Sequence, residues 1–125
     1  MSNIVNLTYK NFDNSGKLKD YKDKIVLIKF YTTWCGYCKE TIPDFKNLAN
    51  FYKKDKKVII AQYDCDEKEG NENNVEYIKH LNKFSKGPKI KGFPTIVLYK
   101  NNLYIKTFKN ERKYQLYIDF IDKYY

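Results

Sequence analysis

The sequence lacks most of what would take a chain into a membrane or lock it with structural cross-links. No apolar run in its 125 residues approaches the roughly 20 needed for a membrane-spanning helix, so no membrane association is expected. Cysteine is scarce. Cys35, Cys38 and Cys65 form an odd set, which argues against a disulfide framework and for a reducing, cytoplasmic address. Met1 to Leu7 shows neither the basic start nor the apolar stretch of a signal peptide. The end, Asp122-Lys123-Tyr124-Tyr125, is not an ER-retention tetrapeptide. The sequon Asn6-Leu7-Thr8 would matter only in an exported chain. Arginine is nearly missing: of 24 basic side chains only Arg112 is not lysine. Lysine for arginine, with frequent Asn, Ile and Tyr, is the imprint of AT-rich coding, as in protists or large DNA viruses. For a viral product the virion would be the alternative address. Such an origin weakens a functional reading of the net charge of +9. No basic block is interleaved with stacking aromatics, so a solvated lysine surface is expected and nucleic acid is not a favoured partner.

What is present can build one core. Hydrophobic residues make up 42% and aromatics 18%, with 13 tyrosines, and the length suits a single domain over 1–125. Asn3–Thr8 reads as a short strand and Lys10–Tyr21 as a loose helix or turn broken at Asn14-Ser15-Gly16. Ile25–Tyr31 is an apolar, β-branched run of the kind buried on both faces of a sheet. Gly36–Lys53 reads as a helix with Ile42, Phe45, Leu48, Ala49 and Tyr52 on one stripe, kinked at Pro43. Val58–Asp64 is a second buried strand, Asp66–Asn74 an exposed loop, and Val75–Phe84 a helix. Thr95–Lys100 and Leu103–Phe108 flank Asn101-Asn102, a type I′ hairpin signal. Glu111–Tyr124 closes the chain as an amphipathic helix. The order predicts an α/β architecture, a central mixed sheet flanked by helices.

Chemistry concentrates in Trp34-Cys35-Gly36-Tyr37-Cys38-Lys39. If Gly36 opens a helix, Cys35 sits where free backbone N–H groups and the helix dipole favour a thiolate, and Cys38 lies one turn further in. Such a pair can attack a disulfide and then resolve the mixed disulfide internally. A metal alternative, Cys35, Cys38, Cys65 and His80 around zinc, lacks a second closely spaced ligand pair. Cys65 reads as a small buried residue ending a strand and His80 as a solvated helix residue.

These motifs carry a resemblance. Phe30 to Lys39, with Asp64-Cys65-Asp66 and Gly92-Phe93-Pro94-Thr95, resembles the thioredoxin superfamily, and within it a catalytic domain of protein disulfide isomerase. The resemblance extends over nearly the whole chain. It implies a thioredoxin-like fold, a nucleophilic Cys35 and a resolving Cys38 that alternate between dithiol and a redox-active Cys35–Cys38 disulfide, with no other cofactor. It also implies that Pro94 is a cis-proline facing the cysteines. Gly92, Phe93 and Pro94 would then bind substrate backbone, with Trp34 as a substrate-facing cover or else as packing. Partners would be protein disulfides or dithiols and an unidentified electron donor or acceptor, and a monomer is expected.

The sequence departs from the pattern at two places. Lys29 stands where the family carries a buried acid. A cation there would stabilise the thiolate form rather than accept its proton, unless desolvation lowers the lysine pKa far enough for it to act as a base. The plainer reading is that it runs out to water along its methylene stem. The middle dipeptide is Gly36-Tyr37, without the histidine of the isomerases, which points to an intermediate potential. Arg112 falls near an arginine that in resembling domains modulates the resolving cysteine; a surface helix-start residue is the plainer reading. The function expected is thiol–disulfide exchange on protein substrates. The alternative is a noncatalytic binding module with a basic surface.

Overall fold

A computed structural model describes residues 3–125; Met1 and Ser2, part of the segment read for a signal peptide, lie outside them. Five strands, β1 (Val5–Leu7), β2 (Ile25–Tyr31), β3 (Val58–Asp64), β4 (Thr95–Lys100) and β5 (Leu103–Thr107), form one sheet in the order β1-β3-β2-β4-β5. Helices α1 (Gly36–Glu40), α2 (Ile42–Phe51), α3 (Glu72–Leu81) and α4 (Tyr114–Asp122) join them, with a 3₁₀ turn at Tyr9–Asn11. β3 runs parallel to β1 and β2, whereas β4 is antiparallel to β2 and β5. The expected mixed sheet with flanking helices is what forms.

Side-chain alternation along β2 sorts the core into two layers. Ile25 and Leu27 pack with Phe45, Leu48, Tyr117 and Ile121 under α2 and α4. Val26, Ile28 and Phe30 pack on the other face with Phe12, Tyr63, Ile78 and Tyr99. Both faces are dry because β2 is central, and each fully buried aliphatic side chain contributes about 1.5–3 kcal/mol. Lys29 shares the parity of Ile25 and Leu27. It is therefore delivered into the α2/α4 layer at the end of the strand.

Local chemistry moved several boundaries. The helix expected over Gly36–Lys53 is two helices that share Thr41 as C-cap of one and N-cap of the next. Pro43 lacks the N–H that would continue the α1 ladder and instead occupies the first turn of α2, where no intrahelical donor is needed. Ile42 leaves the predicted stripe and is 41% exposed, while Phe45, Leu48, Ala49 and Tyr52 are buried. α3 begins at Glu72 rather than Val75 because Asn74 is a buried hub. Its Oδ1 accepts the Tyr9 amide (2.9 Å) and its carbonyl accepts the Tyr63 hydroxyl (2.9 Å). The last helix is trimmed to Tyr114–Asp122. Asn101 and Asn102 both take positive φ, 53° and 70°, as a type I′ turn requires. Among the described residues no helix is long and apolar enough to cross a membrane.

Candidate active site

Antiparallel pairing of Phe30 with Thr95 sets the loop after β2 beside the loop before β4. That register brings Cys35 to Phe93, 58 positions later, with the Cys35 thiol donating to the Phe93 carbonyl at 3.4 Å. The Phe93–Pro94 peptide is cis. Cys35 caps α1: its backbone is extended and its sulfur accepts the Cys38 amide at 3.1 Å. Both cysteines are free thiols and both are buried. Burial and a hydrogen bond with Cys35 push the Cys38 thiol up to about 11, against the Thr32 backbone and the Lys29 charge, which pull it down. The arrangement therefore holds one sulfur under a backbone donor and a second, protonated, directly behind it.

Lys29 does not run out to water. It is 3% exposed, with Nζ donating to the Thr41 hydroxyl at 3.2 Å and lying 4.6 Å from the Phe45 ring centroid. Thr41 Oγ1 in turn donates to the Cys38 carbonyl at 2.6 Å. Among the described residues Lys29 has no carboxylate partner, and burial holds its ammonium below the usual lysine range, opposed by the charge of Cys38. Thr41 is absent from the sequence-derived candidates. Its available signal was a hydroxyl residue two places before a proline at a helix start.

The remaining candidates divide. Trp34 is 71% exposed and meets Phe93 edge-on at 6.4 Å between ring centroids, so it is not core packing. Tyr37 is exposed, and the Arg112 guanidinium carbon lies 5.7 Å from its ring centroid. Arg112 thus lies against Tyr37, exposed, in the segment just ahead of α4. Gly36 and Gly92 have open space where a Cβ would stand, and nothing in the structure requires glycine there. Pro94 is buried and Phe93 half-buried.

On the opposite flank Asp66, also missed, is 5% exposed and accepts from the Thr33 amide (2.8 Å) and hydroxyl (2.7 Å). Burial alone would raise its carboxyl; these bonds and Lys68 bring it below the usual range. Asp66 clamps the loop that carries Trp34. Burial pushes the Cys65 thiol far up, which suits an inert residue. His80 is exposed, but it is not simply solvated: its Nε2 lies 2.9 Å from the Asn14 carbonyl and its ring abuts Phe84. The zinc alternative does not assemble, since among the described residues no three His, Cys, Asp or Glu side chains converge.

A paired thiol site at the end of the central strand, beside the proline loop of a β1-β3-β2-β4-β5 sheet, defines a thioredoxin-fold dithiol protein. The Thioredoxin family profile matches residues 3–123, and the chain belongs to that family. It is 33% identical over 123 residues to "Protein disulfide-isomerase 1" of Dictyostelium discoideum, covering 98% of this chain and 30% of that one. To "Probable protein disulfide-isomerase A6" of Medicago sativa it is 34% identical over 120 residues, covering 95% and 28%. The chain thus spans under a third of the length of these relatives. Chlamydomonas reinhardtii thioredoxin f2 superposes with a TM-score of 0.68 at 24% identity, over 97% of this chain and 95% of that one. Human ERp44 superposes at 0.72 and 20% identity, over 98% and 29%. These last two bear on the fold alone.

Proposed function

We propose that the chain is a protein thiol–disulfide oxidoreductase whose dithiol is Cys35 and Cys38. The observation that carries this is the sulfur of Cys35, which is held at once by the Cys38 amide at 3.1 Å and against the Phe93 carbonyl at 3.4 Å. The Cys35 thiolate attacks one sulfur of a substrate disulfide. An S–S bond forms to Cys35, the substrate S–S bond breaks, and the leaving sulfur departs as thiolate. Cys38 then loses its proton and attacks Cys35, closing the Cys35–Cys38 disulfide and releasing the second substrate thiolate. Two electrons pass to the substrate; the reverse sequence oxidises a dithiol. No further cofactor enters the chemistry.

Lys29 tunes the second step. Buried beside Cys38, it favours the Cys38 thiolate when charged and so stabilises the reduced site relative to one without a cation. Trp34 and Phe93 present an exposed aromatic edge to the substrate. Tyr37, between the two cysteines in sequence, is exposed with the Arg112 guanidinium beside its ring. The basic-surface module that dispenses with catalysis is not favoured, because it leaves the coupling of the two thiols without a purpose.

Reduction of insulin with dithiothreitol as electron source tests the reading. Activity is expected in the wild type and is expected to vanish in C35S, while C38S should accumulate a mixed disulfide visible by mass spectrometry. Equal rates for wild type and C35S would end it.

A further inference from the structure

The loop Gly92–Pro94 separates two hollows of different charge. On the Trp34 side the lining balances Asp66 and Glu67 against Lys68 and Lys79. On the other side a hollow of about 330 Å³ borders Gly92 and Pro94 and is lined by Lys89, Lys91, Lys109 and Arg112 without a single carboxylate. All four cations are solvent-exposed. Lys89 is committed to the carbonyls of Asn82 and Phe84 and Arg112 lies against the Tyr37 ring, which leaves Lys91 and Lys109 for a ligand. Glu40, Asp44 and Glu111 line an adjoining depression that shares Lys109, Asn110 and Arg112 with this one.

The segregation runs through the sequence. From Asp64 to Glu76 there are six carboxylates and one lysine; from Tyr77 to Asn110 there are eight lysines and no Asp or Glu. Three of those eight lysines, Lys89, Lys91 and Lys109, line the hollow.

We propose that this hollow selects its protein substrates by charge: it takes a polypeptide segment rich in Asp and Glu next to the cysteine that Cys35 attacks. The inference rests on the oxidoreductase reading above. A polypeptide is the fitting occupant because the hollow opens on Pro94, whose neighbour Phe93 touches the attacking sulfur, so charge and chemistry address one ligand. Its only aromatic lining, Phe108, is buried, so it offers no stacking platform for bases. Like-charged lysines kept together cost self-repulsion, and an acidic segment relieves it while speeding encounter.

The test uses the full chain and two peptides with the same internal disulfide, one flanked by aspartates and the other by lysines. At low ionic strength kcat/KM for reduction is expected to favour the acidic peptide about tenfold, a gap that closes at about 0.5 M salt. K91E/K109E should reverse the preference and K91Q/K109Q should fall between. Equal rates for the two peptides in the wild type, or a preference that K91E/K109E leaves intact, overturn the proposal. Salt-sensitive binding of a single-stranded DNA oligonucleotide that K91E/K109E abolishes, with peptide preference unmoved, gives the lysines to nucleic acid and also overturns it. Wild-type reduction of uncharged hydroxyethyl disulfide separates the two levels. Its loss removes the oxidoreductase reading and this inference together, whereas activity without charge preference removes only the latter.

Discussion

Two buried ionisable side chains flank the thiol pair, and their surroundings differ completely. Asp66 is surrounded by donors, with the amide and hydroxyl of Thr33 bonded to its two oxygens and Lys68 3.7 Å away. Lys29 has a single hydroxyl and two aromatic rings, Phe45 and Tyr31. A satisfied buried charge fixes structure, and removing it breaks bonds that were made. An under-satisfied one costs stability while it stays, and leaves its charge available to a neighbouring reactive group. In the exchange proposed above, the first belongs to the scaffold of the site and the second to its chemistry.

The largest expected effect falls on the scaffold side. D66A should lower stability by about 2–3 kcal/mol in urea unfolding, because two bonds to a buried carboxylate are lost. Asp66 is held below the usual carboxylate range, so its contribution is full above about pH 4 and fades as pH falls through its folded value. D66N should flatten that acid limb.

K29M should act in the opposite direction, stabilising by about 1–2 kcal/mol as an apolar side chain replaces an ammonium with no carboxylate partner. Lys29 is depressed in the folded state, so the wild type loses stability as pH falls from the ordinary lysine range toward the folded value; K29M should not. The redox potential of K29M should shift to more reducing values by on the order of 30 mV against a glutathione buffer. A destabilised K29M with unchanged potential would erase the distinction between the two residues.

T41V, which removes the acceptor of Lys29 and the donor to Cys38, should cost about 1 kcal/mol, and T41S should restore both stability and potential. The subtlest effect is on Cys38. Its alkylation by iodoacetamide should climb about tenfold per pH unit from neutrality and level off near 11, since only the thiolate reacts. In K29M the curve should move to higher pH, because the cation that favours the thiolate is gone.

Much of this was legible in residues alone. Ile25–Tyr31 announced a central strand through its apolar, β-branched run, and Asn101-Asn102 announced the hairpin through two residues that tolerate positive φ. The spacing of the cysteines and the distant Phe93-Pro94-Thr95 pointed to one site, which the β2–β4 register brings together. What stayed hidden depends on tertiary placement. Thr41 reads as an ordinary polar helix position until Pro43 splits the helix over the end of β2. Glu72–Asn74 reads as loop because Asn74 is polar, and only its contacts with Tyr9 and Tyr63 explain its burial. Lys29 showed its unusual position but not its direction, which strand parity and the layer above it decide.

The break at Thr41 has a consequence for the redox cycle. α1 is little more than one turn, and Lys39 to Cys35 and Thr41 to Cys38 are its backbone bonds at either end. α2, anchored through Phe45 and Leu48, keeps its own ladder. Converting two thiols to a disulfide pulls the sulfurs together, and the hinge confines that displacement to one detachable turn. Amide deuterium exchange should therefore be fast over 36–40 and sensitive to oxidation state, while 44–51 stays slow in both. The thiol pair sits on its own short helical unit, tied to the layer that holds the domain together through Thr41 and Lys29.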